Sequence, residues 1–206
     1  MIKAELDHLV FAATTLAEAQ EVAEMQLGQN LAAGGEHVQF GTHNRLLGLE
    51  NREYFEAIST NPDTPSPRPR WFGLDRFQGA PRLLTWVCRV TDLDAALKIW
   101  PGAGDIIALS RGDLRWRMAV PSDGALLFDG AMPMLIEWDG DLHPSDQLGD
   151  QGGCISQLHI ASPHAAEVKG VLEMLGFQDL RVSLQHAPDT TLRANIETRN
   201  GTRVLS

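Results

Sequence analysis

The sequence predicts an α+β fold in which a βαβββ unit occurs twice and a partial third βα unit ends the chain. Three observations carry this. A strand, a helix and three short β-type runs fill the first 60 residues, the same order returns after a proline-rich break, and a strand–helix pair starts again near residue 158.

Leu6 to Ala13 is rich in β-forming residues. Thr14-Thr15 then caps a helical pattern of Leu16, Ala19, Val22, Ala23, Gln26 and Leu27 that stops at Gly28. Residues 36–40, 44–49 and 53–59 read as strands, separated by the turn formers Gly41 and Glu50-Asn51. The four prolines of residues 60–70 can neither join a central sheet nor continue a helix, so this stretch is a connector or exposed loop. Beyond it, 83–90 repeats the strand, Asp92 caps a helix from Leu93, and 106–109, 114–120 and 134–138 supply three more strands. A third strand at Leu158 to Ala161, a helix from Ala165 to Leu175 stopped by Gly176, and strand-like runs at 180–185 and 192–198 follow. The chain thus divides into a first module (1–60), a connector (61–80), a second module (81–142) and a C-terminal partial repeat (143–206), with the two modules acting as one domain. A unit too small to cover its own sheet is expected to pair with its copy.

A 206-residue chain with 43% hydrophobic residues can bury a sizeable core, which excludes disorder. The 27 acidic residues outnumber 17 basic ones and the arginines are scattered, which argues against nucleic acid and anionic membrane as partners. The N-terminus lacks the pattern of a signal peptide and no apolar run approaches the roughly 20 residues that span a bilayer, so the expected location is the cytoplasm. Cys88 and Cys154 have neither CxxC nor Cys/His spacing and read as reduced thiols. There is no GxGxxG, Walker loop, GxSxG or HExxH, which removes nucleotide-binding and serine-hydrolase readings.

Alternation along the first strand sends Leu9 and Phe11, with Asp7, under the helix, and His8 to the opposite face. In Tyr54-Phe55-Glu56-Ala57-Ile58 the same rule puts Tyr54, Glu56 and Ile58 on that helix-free face, so His8 and Glu56 share it. A carboxylate inside an apolar strand needs a partner, because it has lost its hydration. One imidazole and one or two carboxylates suit a divalent Zn, Ni, Fe, Mn or Co ion with open positions, while the plainer reading is a polar His and a Glu56–Arg45 ion pair. Matching the two helices places Thr85 opposite His8 and lets Glu137 answer Glu56. His43 is a candidate acid/base or a turn residue; Asn44 and Arg45 beside it, with Trp71, Phe72 and Trp86, are candidate substrate contacts. His143 reads as a solvated loop residue and His159 as a packing residue.

Leu6-Asp7-His8-Leu9-Val10, Gly41-Thr42-His43-Asn44, Tyr54-Phe55-Glu56-Ala57-Ile58 and Ile136-Glu137-Trp138-Asp139 together resemble the glyoxalase-like branch of the vicinal oxygen chelate superfamily. The resemblance implies a cup-shaped mixed sheet with the helices on its outer face. It implies His8, Glu56 and Glu137 as metal ligands, Glu137 or His43 as the proton carrier, and Thr85 as a departure from the usual four-ligand set. The activity implied is metal-dependent lyase, isomerase or dioxygenase chemistry on a small oxygenated metabolite that chelates the metal, in a homodimer. The alternative is a metal-free protein of the same fold that sequesters a small molecule.

Overall fold

The computed structural model describes residues 2–148 and 153–206. The first module runs β1 (Ala4–Ala12), α1 (Leu16–Leu27), β2 (Ala32–His37), β3 (Thr42–Leu49) and β4 (Glu53–Thr60). The second runs β5 (Arg82–Val90), α2 (Leu93–Ile99), β6 (Asp105–Arg111), β7 (Leu114–Val120) and β8 (Met134–Trp138). The cap residues act as the sequence predicts. Thr15 accepts the Glu18 N–H at 3.2 Å, Asp92 accepts the Ala95 N–H at 2.8 Å, and Gly28 ends α1 in the left-handed region at φ 65°.

These eight strands form one sheet in the order β2-β3-β4-β1-β5-β8-β7-β6. Within each module the first strand lies parallel to the last, and the modules join through the antiparallel β1–β5 pair. The sheet curls until its two ends meet. Gln39, in the turn after β2, donates to the Ala108 carbonyl of β6 at 3.3 Å, and a Cβ on Gly35 would come within 2.4 Å of the Arg111 stem.

The convex side carries the main core. Leu9, Phe11, Phe55, Trp86 and Leu135 pack there with the helices and with the C-terminal unit, whose Phe177 meets the edge of the Trp86 ring at 5.5 Å. The concave side holds a second apolar cluster that includes Val10, Ile58, Val87, Trp116, Met118, Met134 and Ile136. Helices outside and a cup inside is the layering that the resemblance implies.

A short α3 (Pro144–Leu148) leads toward the C-terminal unit, which contains β9 (Cys154–Ser162), α4 (Ala165–Met174), β10 (Val182–His186), β11 (Thr191–Thr198) and β12 (Gly201–Leu205). The strand–helix start is present and the unit continues into three strands, in its own sheet of order β10-β9-β11-β12. Its wiring differs from that of the modules, because β9 pairs in parallel with the strand immediately after its helix. Arg181 fastens it to the first module, reaching the buried Glu53 carboxylate at 2.5 and 3.1 Å and the Ile155 carbonyl at 3.0 Å.

The proline-rich stretch folds back over the cup. Arg70 Nε donates to the Gly41 carbonyl at 3.1 Å, the Trp71 indole N–H to Thr42 Oγ1 at 3.2 Å, and the Gly73 N–H to the Gly124 carbonyl at 2.7 Å. Phe72, at φ 57°, holds a left-handed conformation that costs an aromatic residue about 1–3 kcal/mol, which these three anchors support.

Candidate active site

The polar floor of the cup comes from the first module. The ladder between β1 and β5 skips a residue between Leu6 and His8, so Asp7 is the extra residue of a β-bulge. Simple alternation sends Asp7 under the helix; the bulge instead brings it to the side of His8. Its carboxylate accepts from His8 Nδ1 at 2.6 Å, from His143 Nε2 at 3.1 Å and from the Trp138 indole N–H at 3.0 Å. Burial alone would raise the Asp7 carboxyl, but the bonds from His143 and His8 outweigh it and hold it well below the usual carboxylate range.

With Nδ1 committed to Asp7, His8 presents Nε2 to the cup, 3.6 Å from Glu56 Oε2. The Tyr54 ring stacks on the imidazole at a centroid distance of 4.2 Å and fixes its plane. Glu56 Oε1 accepts from Asn44 Nδ2 at 2.5 Å, and Asn44 Oδ1 accepts the Gly35 N–H at 2.8 Å. Gly34 is required beside it, because a Cβ there would lie 2.0 Å from Asn44 Oδ1. Arg111, 3.4 Å from Asn44 Oδ1, brings a cation to the same cavity. Trp71, Phe72, Trp116 and Trp138 supply aromatic walls, and the enclosed space is about 30 Å³, room for a water or two.

Five sequence candidates therefore line the cup: His8, Glu56, Asn44, Trp71 and Phe72. Four do not. Glu137 lies on the convex side, accepting the Leu93 N–H at 2.6 Å and Arg117 Nη2 at 2.7 Å. The reason is register. Val10 of β1 faces Glu56 across the parallel ladder, and its counterpart Val87 of β5 faces Met134, so Met134 and not Glu137 is the match of Glu56. Glu137 is three residues further on, an odd step that turns a strand side chain to the other face. His43 and Arg45 also point outward, to Ser59 Oγ at 2.9 Å and to Gln20 of α1 at 3.1 Å, so the Glu56–Arg45 pair is absent. Trp86 belongs to the convex core and donates its indole N–H to the Ala131 carbonyl at 3.0 Å.

Asp7, Tyr54, His37, Arg111 and His143 complete the site. The alternation rule already places Tyr54 beside Glu56. His143 is not solvated: it is 1% exposed, held from behind by the Asp146 carboxylate, which accepts the His143 N–H at 3.0 Å. Nothing in the local sequence signals the bulge or this burial.

A catalytic divalent metal usually takes three protein ligands and keeps an open position. Here His8 Nε2 and Glu56 Oε2 converge, while the matching positions of the second module hold Thr85, whose hydroxyl donates to the Gly130 carbonyl at 3.1 Å, and the thioether of Met134. Among the described residues no three His, Cys, Asp or Glu side chains are gathered for a metal. The donor set does not fit the three-ligand divalent centre that the resemblance implies.

Paired βαβββ modules curled around a cleft, in a chain that a glyoxalase-like family model matches, define a member of the vicinal oxygen chelate superfamily. Within it, the chain belongs to the glyoxalase-like domain family, whose model matches residues 6–176. Among solved structures, a hypothetical protein from Staphylococcus aureus superposes with a TM-score of 0.62 over 93% of this chain and 88% of that one, at 12% identity. Methylmalonyl-CoA epimerase from Mycobacterium tuberculosis matches 66% of this chain and 88% of its own, with a TM-score of 0.43 and 19% identity. At these identities the likeness is one of fold, and neither protein lends its chemistry to this chain. No curated protein sequence matches significantly. Among the described residues no helix is long and apolar enough to cross a membrane.

Proposed function

We propose that the cup is the active site of an acid–base enzyme of the isomerase or lyase type, acting on a small carbonyl compound with an acidic C–H next to the carbonyl. The observation that carries this reading is the buried Asp7–His8 pair. Asp7 fixes the ring through Nδ1, leaves Nε2 on the cup side with the Tyr54 hydroxyl 3.5 Å away, and stabilises the imidazolium that forms when Nε2 takes a proton. The C–H bond breaks, its electron pair forms the C=C bond of an enolate while the carbonyl π pair moves onto oxygen, and the proton resides on His8. Glu56, 3.6 Å from Nε2, is placed to exchange a proton at the neighbouring atom, and Asn44 holds it in position. Arg111 supplies positive charge for an anionic substrate group. A cavity of about 30 Å³ is smaller than such a substrate, so binding requires the side chains that line it to give way.

The test is hydrogen exchange in D2O with chelator present, using small α-hydroxy ketones and aldehydes such as dihydroxyacetone, followed by NMR. Wild type is expected to catalyse C–H to C–D exchange, and His8→Asn and Glu56→Gln to slow it by about 10²-fold or more while remaining folded. Equal rates in all three proteins would sink the proposal. Exchange that vanishes with chelator and returns with Mn²⁺ or Zn²⁺ would move the reaction to a metal. The aromatic walls of the cup favour a second reading, capture of a small molecule without turnover, which would show as tryptophan fluorescence quenching by a ligand that is recovered unchanged.

A further inference from the structure

We propose that His37 is the oxyanion donor of this site, an imidazole whose Nε2–H binds the enolate oxygen formed when His8 takes the proton. The inference rests on the acid–base reading above and adds the group that receives the negative charge.

His37 ends β2, is 8% exposed, and lines the same cavity as His8 and Glu56. Its Nδ1 lies 3.1 Å from Thr42 Oγ1. That hydroxyl also meets the Trp71 indole nitrogen at 3.2 Å, and an indole N–H can only donate. Thr42 therefore accepts from Trp71, and among the described residues the acceptor in reach of its own proton is His37 Nδ1. A nitrogen that accepts carries no proton, so the ring proton of neutral His37 sits on Nε2. Burial, with Arg111 alongside, drops His37 to about 3, so the ring stays neutral at any pH the protein would meet in a cell.

Among the described residues Nε2 makes no hydrogen bond. The Trp71 and Trp116 rings stand nearly perpendicular to the imidazole, at centroid distances of 4.9 and 6.4 Å, and restrict its rotation. His37 lines the cavity beside His8, Glu56 and Arg111, so a ligand oxygen in the cup can take the donor that the protein leaves unpaired. A neutral N–H also suits the step better than a cation. It stabilises an enolate without transferring its proton, so the charge stays on substrate until His8 or Glu56 returns the proton and the site resets.

The experiment is NMR of ¹⁵N-histidine-labelled protein, free and titrated with oxalate, a planar dianion that mimics an enediolate. His37 is expected as the Nε2–H tautomer without titrating between pH 5 and 8, and oxalate is expected to shift its Nε2–H downfield. His37→Ala should weaken oxalate at least tenfold and slow exchange by about 10²–10³-fold with little change in KM. His37→Gln, which keeps an N–H donor, should recover most of both losses. A protonated His37 at pH 6, or the Nδ1–H tautomer, overturns the inference. Oxalate that shifts His8 but leaves His37 unmoved overturns it while the acid–base reading stands. Oxalate that shifts neither histidine removes both.

Discussion

The two halves of the large sheet have the same backbone and different chemistry. Each first strand carries one bulge, at Asp7 in β1 and, at the matching place, Leu84 in β5. The residue after the bulge is His8 in one half and Thr85 in the other. On the fourth strands Glu56 matches Met134, and on the third strands Asn44, opposite Ile58, matches Met118, opposite Ile136. Four polar positions of the first module are thus two methionines, a leucine and a threonine in the second. The duplicated backbone sets positions around a cup; the first half supplies the imidazole and carboxylates, and the second adds the Arg111 cation. An imidazole facing a carboxylate across a small cavity is an acid–base pair, whereas two such sets would offer a metal four ligands.

Restoring the missing set should break the asymmetry most strongly. Thr85→His combined with Met134→Glu places an imidazole and a carboxylate at the positions that mirror His8 and Glu56. The double variant is expected to bind one equivalent of zinc, read by elemental analysis after dialysis, where the wild type retains none. Without metal it should be less stable by roughly 3–5 kcal/mol, because the new carboxylate is buried without a partner and the Gly130 carbonyl loses its hydroxyl donor. Zinc at a hundred times its Kd should return about 2.7 kcal/mol of this. A double variant that stays folded and metal-free would mean that the two bulged strands do not aim their side chains at a common point.

The next largest effect lies at the bulge. Asp7→Ala removes the acceptor of three buried donors, from His8, His143 and Trp138, and should cost about 3–5 kcal/mol at pH 7 in urea denaturation. The pH dependence carries a defined sign. The carboxyl pKa is depressed by folding, so its contribution is full above the unfolded value near 4 and is lost as pH falls through the folded value. The gap between wild type and Asp7→Ala should therefore narrow on going from pH 7 to pH 3. A constant gap would show that Asp7 acts by packing. The matching Leu84→Ala has no charge to lose, and its cost should not vary with pH in this way.

These residues also show how far the sequence alone could be read. The helices, their caps and the order of strands follow from patterns within a dozen residues, and the structure reproduces them. Placement of His8, Glu56 and Tyr54 on one face needed only period-two alternation inside short strands. What failed was anything that depends on a ladder between distant strands. The bulge at Asp7 exists because β1 and β5 pair out of step, and the helix offset that sets Glu137 against Glu56 lands three residues from the position that the parallel register selects. His143 and His37 acquire roles from partners 136 and 5 residues away, through contacts that loop composition does not encode. A face can be read from one strand; a site requires the register between two.

The smallest effect is the one that separates the two strand glutamates. Glu56 and Glu137 look alike in sequence, each among apolar strand residues, yet Glu137 bonds Arg117, itself 36% exposed, and the first N–H of α2 on the convex side. Glu137→Gln keeps an oxygen for the Leu93 N–H and loses only the charge toward Arg117 and the helix start. That should cost under about 1 kcal/mol and shrink further in high salt. Exchange of α-hydroxy ketone protons should be unchanged, against a loss of about 10²-fold or more for Glu56→Gln. If Glu137→Gln instead slowed exchange as much as Glu56→Gln while the fold survived, the chemistry would reach through the sheet into the second module, and the division of labour between the halves would be wrong.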